Sequence, residues 1–380
     1  MWVLLFLACQ TPVDSDTSTP DLVLIGLDPS DAPIEGLTAE QMDQFNAGDI
    51  RFEQVFRESN GLGPNYIRHS CASCHTDDGR GPGAVTKMVV LADNGFSAAE
   101  DQSALPWGFT SRPQVAADAV TPLVPPEGVD NLLVTQRFGP PVFGRGYVDA
   151  VDDAAIEALE DQQAELGLSG RIHRLEDDSI GRFGVKARIS TVQAFTADAF
   201  LGDMSITSPT RPDELPNPDG LTDDLLAGVD IDDEMVQVVS DYVRFLAIPT
   251  REFIDVDPLF VSAGCADCHV PTLPTRDDYP VPQLAGLDPY LFTDLLLHDL
   301  GQAMSDGLVE GDASETEFKT APLIGLRFLP NFLHDGRAET VEEAILHHAG
   351  PGSEANASID AFEGLSVAER DQLLTYVESL

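Results

Sequence analysis

Residues 71–75 read CASCH and residues 265–269 read CADCH. Each is a Cys-x-x-Cys-His unit, and the reading of these two copies decides the fold. Three chemistries use two thiols and an imidazole at such a spacing: a c-type haem attachment, half of a zinc site, and a redox dithiol. In the first, two thiols one helical turn apart add to the vinyl groups of one porphyrin, and the following His is carried under the iron. The units start 194 positions apart, at 71 and 265. A zinc ribbon places its pairs roughly 15–20 residues apart, and a redox pair belongs in a βαβ setting, which is not visible here. In a chain of this composition one such unit arises by chance about once in a thousand sequences. The residues therefore favour two haems, held by Cys71, Cys74 and His75 and by Cys265, Cys268 and His269. Zinc held by pairing the two distant knuckles is the rival.

Working outward, the chain reads as mainly α, two cytochrome-c-like haem domains with long loop insertions in the first. Thr38-Ala-Glu-Gln41 is a capping-box pattern, and Met42, Phe45, Phe52, Val55 and Phe56 give a helix, broken near Gly48, that leads to the first unit. Pro and Gly punctuate residues 76–230, which predicts loops with short helices. Helices are expected at 152–166 and 232–246, and capped helices open at Thr340 and Ser366. The first haem domain is placed at 36–249 and the second at 250–380.

The 380 residues carry 65 acidic and 21 basic side chains, a net charge of −44. That excludes nucleic acid, whose phosphates need clustered Lys and Arg. It favours a basic protein partner or no charged partner, although an acidic surface that merely keeps the chain in solution has the same composition; with two haems the expected partner is an electron-donor protein, a small cytochrome or cupredoxin.

The first residues, MWVLLFLACQ, hold an apolar run far shorter than the roughly 20 residues that span a bilayer. They suit a signal segment ending at a lipobox, with Cys9 the lipid-bearing residue, although Phe6 stands where Leu is usual and no Lys or Arg precedes the run. Residues 10–35 then form a flexible acidic tether. This places the protein in the periplasm or cell envelope, anchored through Cys9. The rival is an uncleaved apolar tail. With Cys9 lipidated, the other four cysteines fill the two units and none is left for a disulfide.

Distal ligands decide what a haem does. On the helix from 340, Val341, Ala344, Ile345 and His348 fall on one apolar face, so His348 points inward and His347 elsewhere. His348 is the candidate sixth ligand. His69, His173, His298 and His334 are read as hydrogen-bonding residues, for instance to propionates. Met88, Met204 and Met304 are weaker ligand candidates, and Met42 and Met235 are read as core.

The stretch FKTAPLIGLRFLPNFLHDGRAETVEEAILHHAG (318–350) resembles the C-terminal signature of bacterial di-haem cytochrome c peroxidases. HSCASCHTDDGRG, RFGPPVFGRGYVDAV, SGRIHRLEDDSIGRFGVKA and LLLHDLGQAMSD are more similar to the related di-haem oxidoreductases called thiol-oxidoreductase-like. The likeness spans roughly residues 40–380. It implies that the N-terminal haem is the reactive one and that the C-terminal haem relays electrons. The family's distal ligand position on the C-terminal haem falls on His348. Its Gln and Glu over the open iron fall on Gln193 and on Asp203, one methylene shorter than Glu. A Trp between the haems corresponds to Phe183. The resemblance also implies a calcium ion between the domains, bound partly by carbonyls near Leu329 and Asn331, where the usual Thr and Pro are absent. The expected activity is peroxidase-like: reduction of hydrogen peroxide or a related oxidant. The alternatives are an electron-transfer cytochrome with both irons closed and an oxidase acting on a protein or metal-bound substrate.

Overall fold

The computed structural model describes residues 32–76, 83–221, 228–253 and 255–380. The signal segment, Cys9 and residues 10–31 of the tether lie outside the described residues. No described helix is long and apolar enough to cross a membrane.

Helix α1 (Ala39–Phe52) starts where the capping box was expected. The Thr38 hydroxyl accepts from the Gln41 amide at 3.2 Å, and the Gln41 side chain accepts from the Thr38 amide at 2.9 Å. It runs unbroken through Gly48, which corrects the expected break. Gly48 lies against the backbone of Val238 and the Cβ of Tyr242, so a side chain there would collide. The glycine allows close helix approach rather than a turn.

The approaching partner is α5 (Asp233–Phe245), capped by Asp232, which accepts from the Met235 amide at 2.9 Å. It buries Val236, Val239, Tyr242 and Phe245. The Phe45 and Phe52 rings of α1 each stand 5.1 Å from Tyr242. Between them in sequence come α2 (Arg145–Ala150), α3 (Asp153–Leu166) and α4 (Val192–Met204), and α4 packs on α5. Beyond them lie α6 (Pro258–Ser262), α7 (Val341–Leu346), α8 (Asn356–Gly364) and α9 (Val367–Glu378).

Strand content exceeds the expectation. Helix makes up 31% of the structure and strand 14%, so helices lead without making the chain mainly α. Three two-stranded sheets and a scatter of isolated bridges make up this content. The longest pairs β2 (Ala84–Val90) with β4 (Leu132–Phe138), antiparallel, from Ala84 opposite Phe138 to Val90 opposite Leu132. AVTKMVV and LLVTQRF are rich in branched residues, but an excursion over 91–131 separates them, so no hairpin turn signals the pairing. A second pair joins β1 (Asn65–Tyr66) to β3 (Gln114–Val115).

The third sheet, β5 (Leu297–Asp299) with β6 (Glu317–Lys319), stitches the two halves of the chain together. Leu297 exchanges both backbone hydrogen bonds with Arg171, at 2.8 and 3.0 Å. Lys319 donates its amide to the Val185 carbonyl at 2.8 Å, and Arg171 grips Glu317 at 2.6 and 2.9 Å. The larger hydrophobic core also crosses residue 250, adding Leu273, Leu284, Leu291 and Leu296 to Phe143, Phe200 and Tyr242. A smaller core, with Phe260, Phe292, Phe362, Leu373 and Tyr376, belongs to the C-terminal part alone.

Candidate functional site

Each Cys-x-x-Cys-His unit is wound as a single turn. The amides of Cys74 and His75 both donate to the Cys71 carbonyl at 3.0 Å, and the His269 amide donates to Cys265 at 2.9 Å. The turn brings the thiols and the imidazole to one side. Close packing holds it there. A Cβ on Gly83 would lie 2.5 Å from Cys74 Sγ, and one on Gly139 would lie 3.1 Å from His75 Cε1.

Both units open onto one cavity of 570 Å³, lined by Cys71, Cys74, His75, Cys265, Cys268 and His269. Burial pushes the Cys71 thiol up to about 12 and those of Cys74 and Cys265 up to about 11. Burial also raises Cys268. Thiols so held are protonated and poor redox nucleophiles. Among the described residues, the one cluster of His, Cys and carboxylates close enough to share a metal ion is Cys268, Asp294 and His298. The four cysteines do not converge, so the distant-knuckle zinc site has no geometry here.

On the side of the second unit, two imidazoles present the same atom. His269 Nδ1 is 3.0 Å from the Phe292 carbonyl, and His348 Nδ1 is 2.7 Å from the Ala344 carbonyl. A carbonyl only accepts, so each Nδ1 carries the proton and each Nε2 keeps its lone pair. Burial holds His269 down to about 4 and lowers His348, so both stay neutral. After burial, His348 is among the charges that lower His269, and His347 is the charge that lowers His348. Both line the cavity, whereas His347 is exposed. The helix is shorter than expected, ending at Leu346, and His348 sits in the turn that follows it, its amide donating to Ile345 at 3.0 Å. Two neutral imidazoles, each backed by a carbonyl, are the donor set that axial iron ligation needs.

Helix α4 supplies the wall near the first unit. Val192, Phe195, Thr196, Ala199, Phe200 and Asp203 form its cavity-facing stripe. Asp203 is half-buried. Burial raises its carboxyl to about 6, with Lys87 and Arg188 drawing it down and Asp198 pushing it up. Gln193 is not on this stripe. It borders a separate polar pocket of 460 Å³ with Gln41, Asp149, Gln237 and Tyr279. The ungapped correspondence that joined Gln193 to Asp203 ignored the helical period: ten positions is not a whole number of turns, so the two side chains leave α4 in different directions. Thr196, seven positions before Asp203, shares its face.

The remaining candidates divide. His298, His334, Met204, Met304, Phe183 and Leu329 border the cavity. Met88 is buried instead with Leu105 and Leu123, and His69 is exposed. His173 is buried elsewhere, 2.6 Å from the Lys186 carbonyl. Met42 and Met235 pack against the larger core. His334 stacks on Phe318 at 4.2 Å, and its buried Nε2 has no hydrogen-bond partner. Burial holds it down to about 4.

No spacing signals how His298 is held: Nε2 meets Asp294 at 2.8 Å and Nδ1 meets Glu354 at 2.5 Å, beside Cys268. Burial disfavours the imidazolium, but the bonds to Asp294, Cys268 and Glu354 outweigh it and push His298 up to about 12. Arg145 and Lys319, also on the cavity wall, lie within the stretches 137–151 and 318–350, where neither was assigned a role.

No curated protein matches the chain. Among solved structures, hydrazine synthase of Kuenenia stuttgartiensis, pressurized with 20 bar xenon, is similar at 13% identity and a TM-score of 0.43, with 100% of both chains covered. The family described as "Di-haem oxidoreductase, putative peroxidase" matches residues 127–380, two thirds of the sequence and the whole of the second unit. The chain belongs to this family of di-haem oxidoreductases.

Proposed function

We propose that the protein is an exported, peroxidase-like oxidoreductase built on two cytochrome-c-like haem modules, residues 36–249 and 250–380. The observation that carries this reading is the single cavity shared by both Cys-x-x-Cys-His units, with a second neutral imidazole on one side and a half-buried carboxylate on the other. One covalently attached haem would be held by Cys71, Cys74 and His75, the other by Cys265, Cys268, His269 and His348. Haem iron supplies reversible one-electron chemistry, and an iron with an open sixth position can also take an oxidant.

The chain's own residues do the rest. Asp203, ionised above about pH 6, accepts a proton from the near oxygen of hydrogen peroxide and returns it to the far oxygen, which leaves as water. Two electrons and two further protons complete the reduction of one peroxide to two waters. Phe195, Phe200 and Val192 keep bulk water from this wall. His348 would serve as a further ligand of the second haem and so reserve it for electron transfer. The electrons come from a basic donor protein, matched to the charge of −44. Anchoring through Cys9 in the cell envelope and a calcium ion near the carbonyls of Leu329 and Asn331 belong to the same proposal. Membrane fractionation of Cys9→Ser and spectra before and after chelation check them.

Stopped-flow mixing of the half-reduced protein with hydrogen peroxide tests the central reading. Rapid reoxidation is expected, and no reaction would overturn it. A relay cytochrome is the second reading, because Met204, Met304 and the unpartnered His334 Nε2 also reach the cavity. Low-spin resonance from both ferric haems in the oxidised protein, with no high-spin signal after half-reduction, would favour it.

A further inference from the structure

Two cations face the cavity with no acid to neutralise them. Arg145, on α2, is 8% exposed, and its Nε donates to the Pro141 carbonyl at 2.6 Å. Lys319, on β6, donates from Nζ to the Thr320 carbonyl at 3.3 Å. No described carboxylate stands within 4.0 Å of either group. Arg137 and Lys186 share Asp306, at 2.6 and 3.6 Å, and Arg182 holds Asp153, whereas buried Arg112 is met by the Pro216 carbonyl at 2.6 Å and has no described like charge beside it on the cavity wall. The acid whose field reaches Lys319 is Asp294, already engaged by His298 and by the Leu296 amide at 3.0 Å.

Two like charges in a low-dielectric site oppose one another, and each loses hydration. Burial and the nearby Arg145 push Lys319 down to about 7, and burial lowers Arg145 to about 10. Such a pair persists when an anion completes it. The anion must fit a planar guanidinium fork and an ammonium at once, which describes a carboxylate. Arg145 comes from the first half of the chain and Lys319 from the second, and both line the cavity that joins the two Cys-x-x-Cys-His units. Each haem carries two carboxylates on its propionate arms.

We propose that Arg145 and Lys319 jointly bind a haem propionate at the seam between the two haem sites, and that this contact sets the reduction potential of that haem. The inference rests on the di-haem reading above. Its sign follows from charge. Reduction adds an electron, so a cation beside the propionate favours the reduced form, and removing the cation lowers the potential.

The test is spectroelectrochemical titration of the haem-loaded protein, with haem counted per chain by its pyridine adduct. Lys319→Met should retain two haems while the equilibrium constant for reducing one of them falls about tenfold, or about 59 mV for one electron. Lys319→Arg should restore it. Arg145→Lys, which keeps the charge and loses the fork, should lower the same potential by a smaller amount, and it serves where Lys319→Met gives no folded protein. Unchanged potentials with two haems present would overturn the inference. So would acetate shifting the wild-type potential but not that of Lys319→Met, because the anion would then be exchangeable rather than a propionate. A wild-type chain without haem would instead overturn the di-haem reading itself.

Discussion

Replacing Asp203 with Asn removes a carboxyl that burial lifts from 3.8 to about 6. At about 1.4 kcal/mol per pH unit, that lift amounts to roughly 3 kcal/mol against the ionised form. The folded value lies above the unfolded one, so the folded chain binds this proton more tightly. The associated stability is present below pH 3.8 and is lost as pH rises through about 6. Asp203→Asn escapes that loss, and at pH 7.5 it should unfold at higher denaturant, with a gain of up to roughly 3 kcal/mol. Its peroxide reaction should slow by about 10²–10⁴-fold, the usual contribution of a positioned acid–base group. In the wild type the same rate should fall as pH drops through about 6, where the carboxylate takes up its proton. Stopped-flow traces across pH 4.5–8 and denaturant titrations at both ends of that range read the two effects. A wild-type rate in Asp203→Asn, or an inflection near pH 6 that survives the substitution, would refute the acid–base role.

His348→Ala should convert one low-spin haem signal to high spin with both haems still attached; an unaltered spectrum would remove His348 from the ligand set. Gly83→Ala puts a methyl carbon 2.5 Å from Cys74 Sγ, so attachment at the first unit should fall while the second is kept, read as haem per chain by mass spectrometry. Arg137→Gln strips Asp306, whose side chain is fully buried, of a partner at 2.6 Å. The expected cost is about 3–5 kcal/mol in denaturant unfolding, and a loss below 1 kcal/mol would contradict the pairing.

What could be read from the sequence was whatever is local. The two Cys-x-x-Cys-His turns, the caps at Thr38 and Ser366, the inward His348 and the helix at 232–246 all depend on spacings of a few residues. What was missed depends on partners far along the chain. Gly48 looked like a breaker because its neighbour Tyr242 lies nearly two hundred residues on. Strands β2 and β4 gave no hairpin signal because a long excursion divides them. Gln193 was chosen by counting along a motif, and the helix turned it away from the cavity. Arg145, Lys319 and the Asp294–His298–Glu354 clamp are scattered singly through loops and short elements, so no spacing announces them.

The seam formed by Arg171, Val185, β5 and β6 has a mechanical consequence. Peptide hydrogen bonds and a doubly bonded Arg171–Glu317 pair cross it, so swinging the halves apart means breaking a ladder rather than bending a linker. The two Cys-x-x-Cys-His turns are thereby mounted on a single stiff frame. On the proposed di-haem reading, passage of charge between them would need no large rearrangement, and its rate should be insensitive to solvent viscosity.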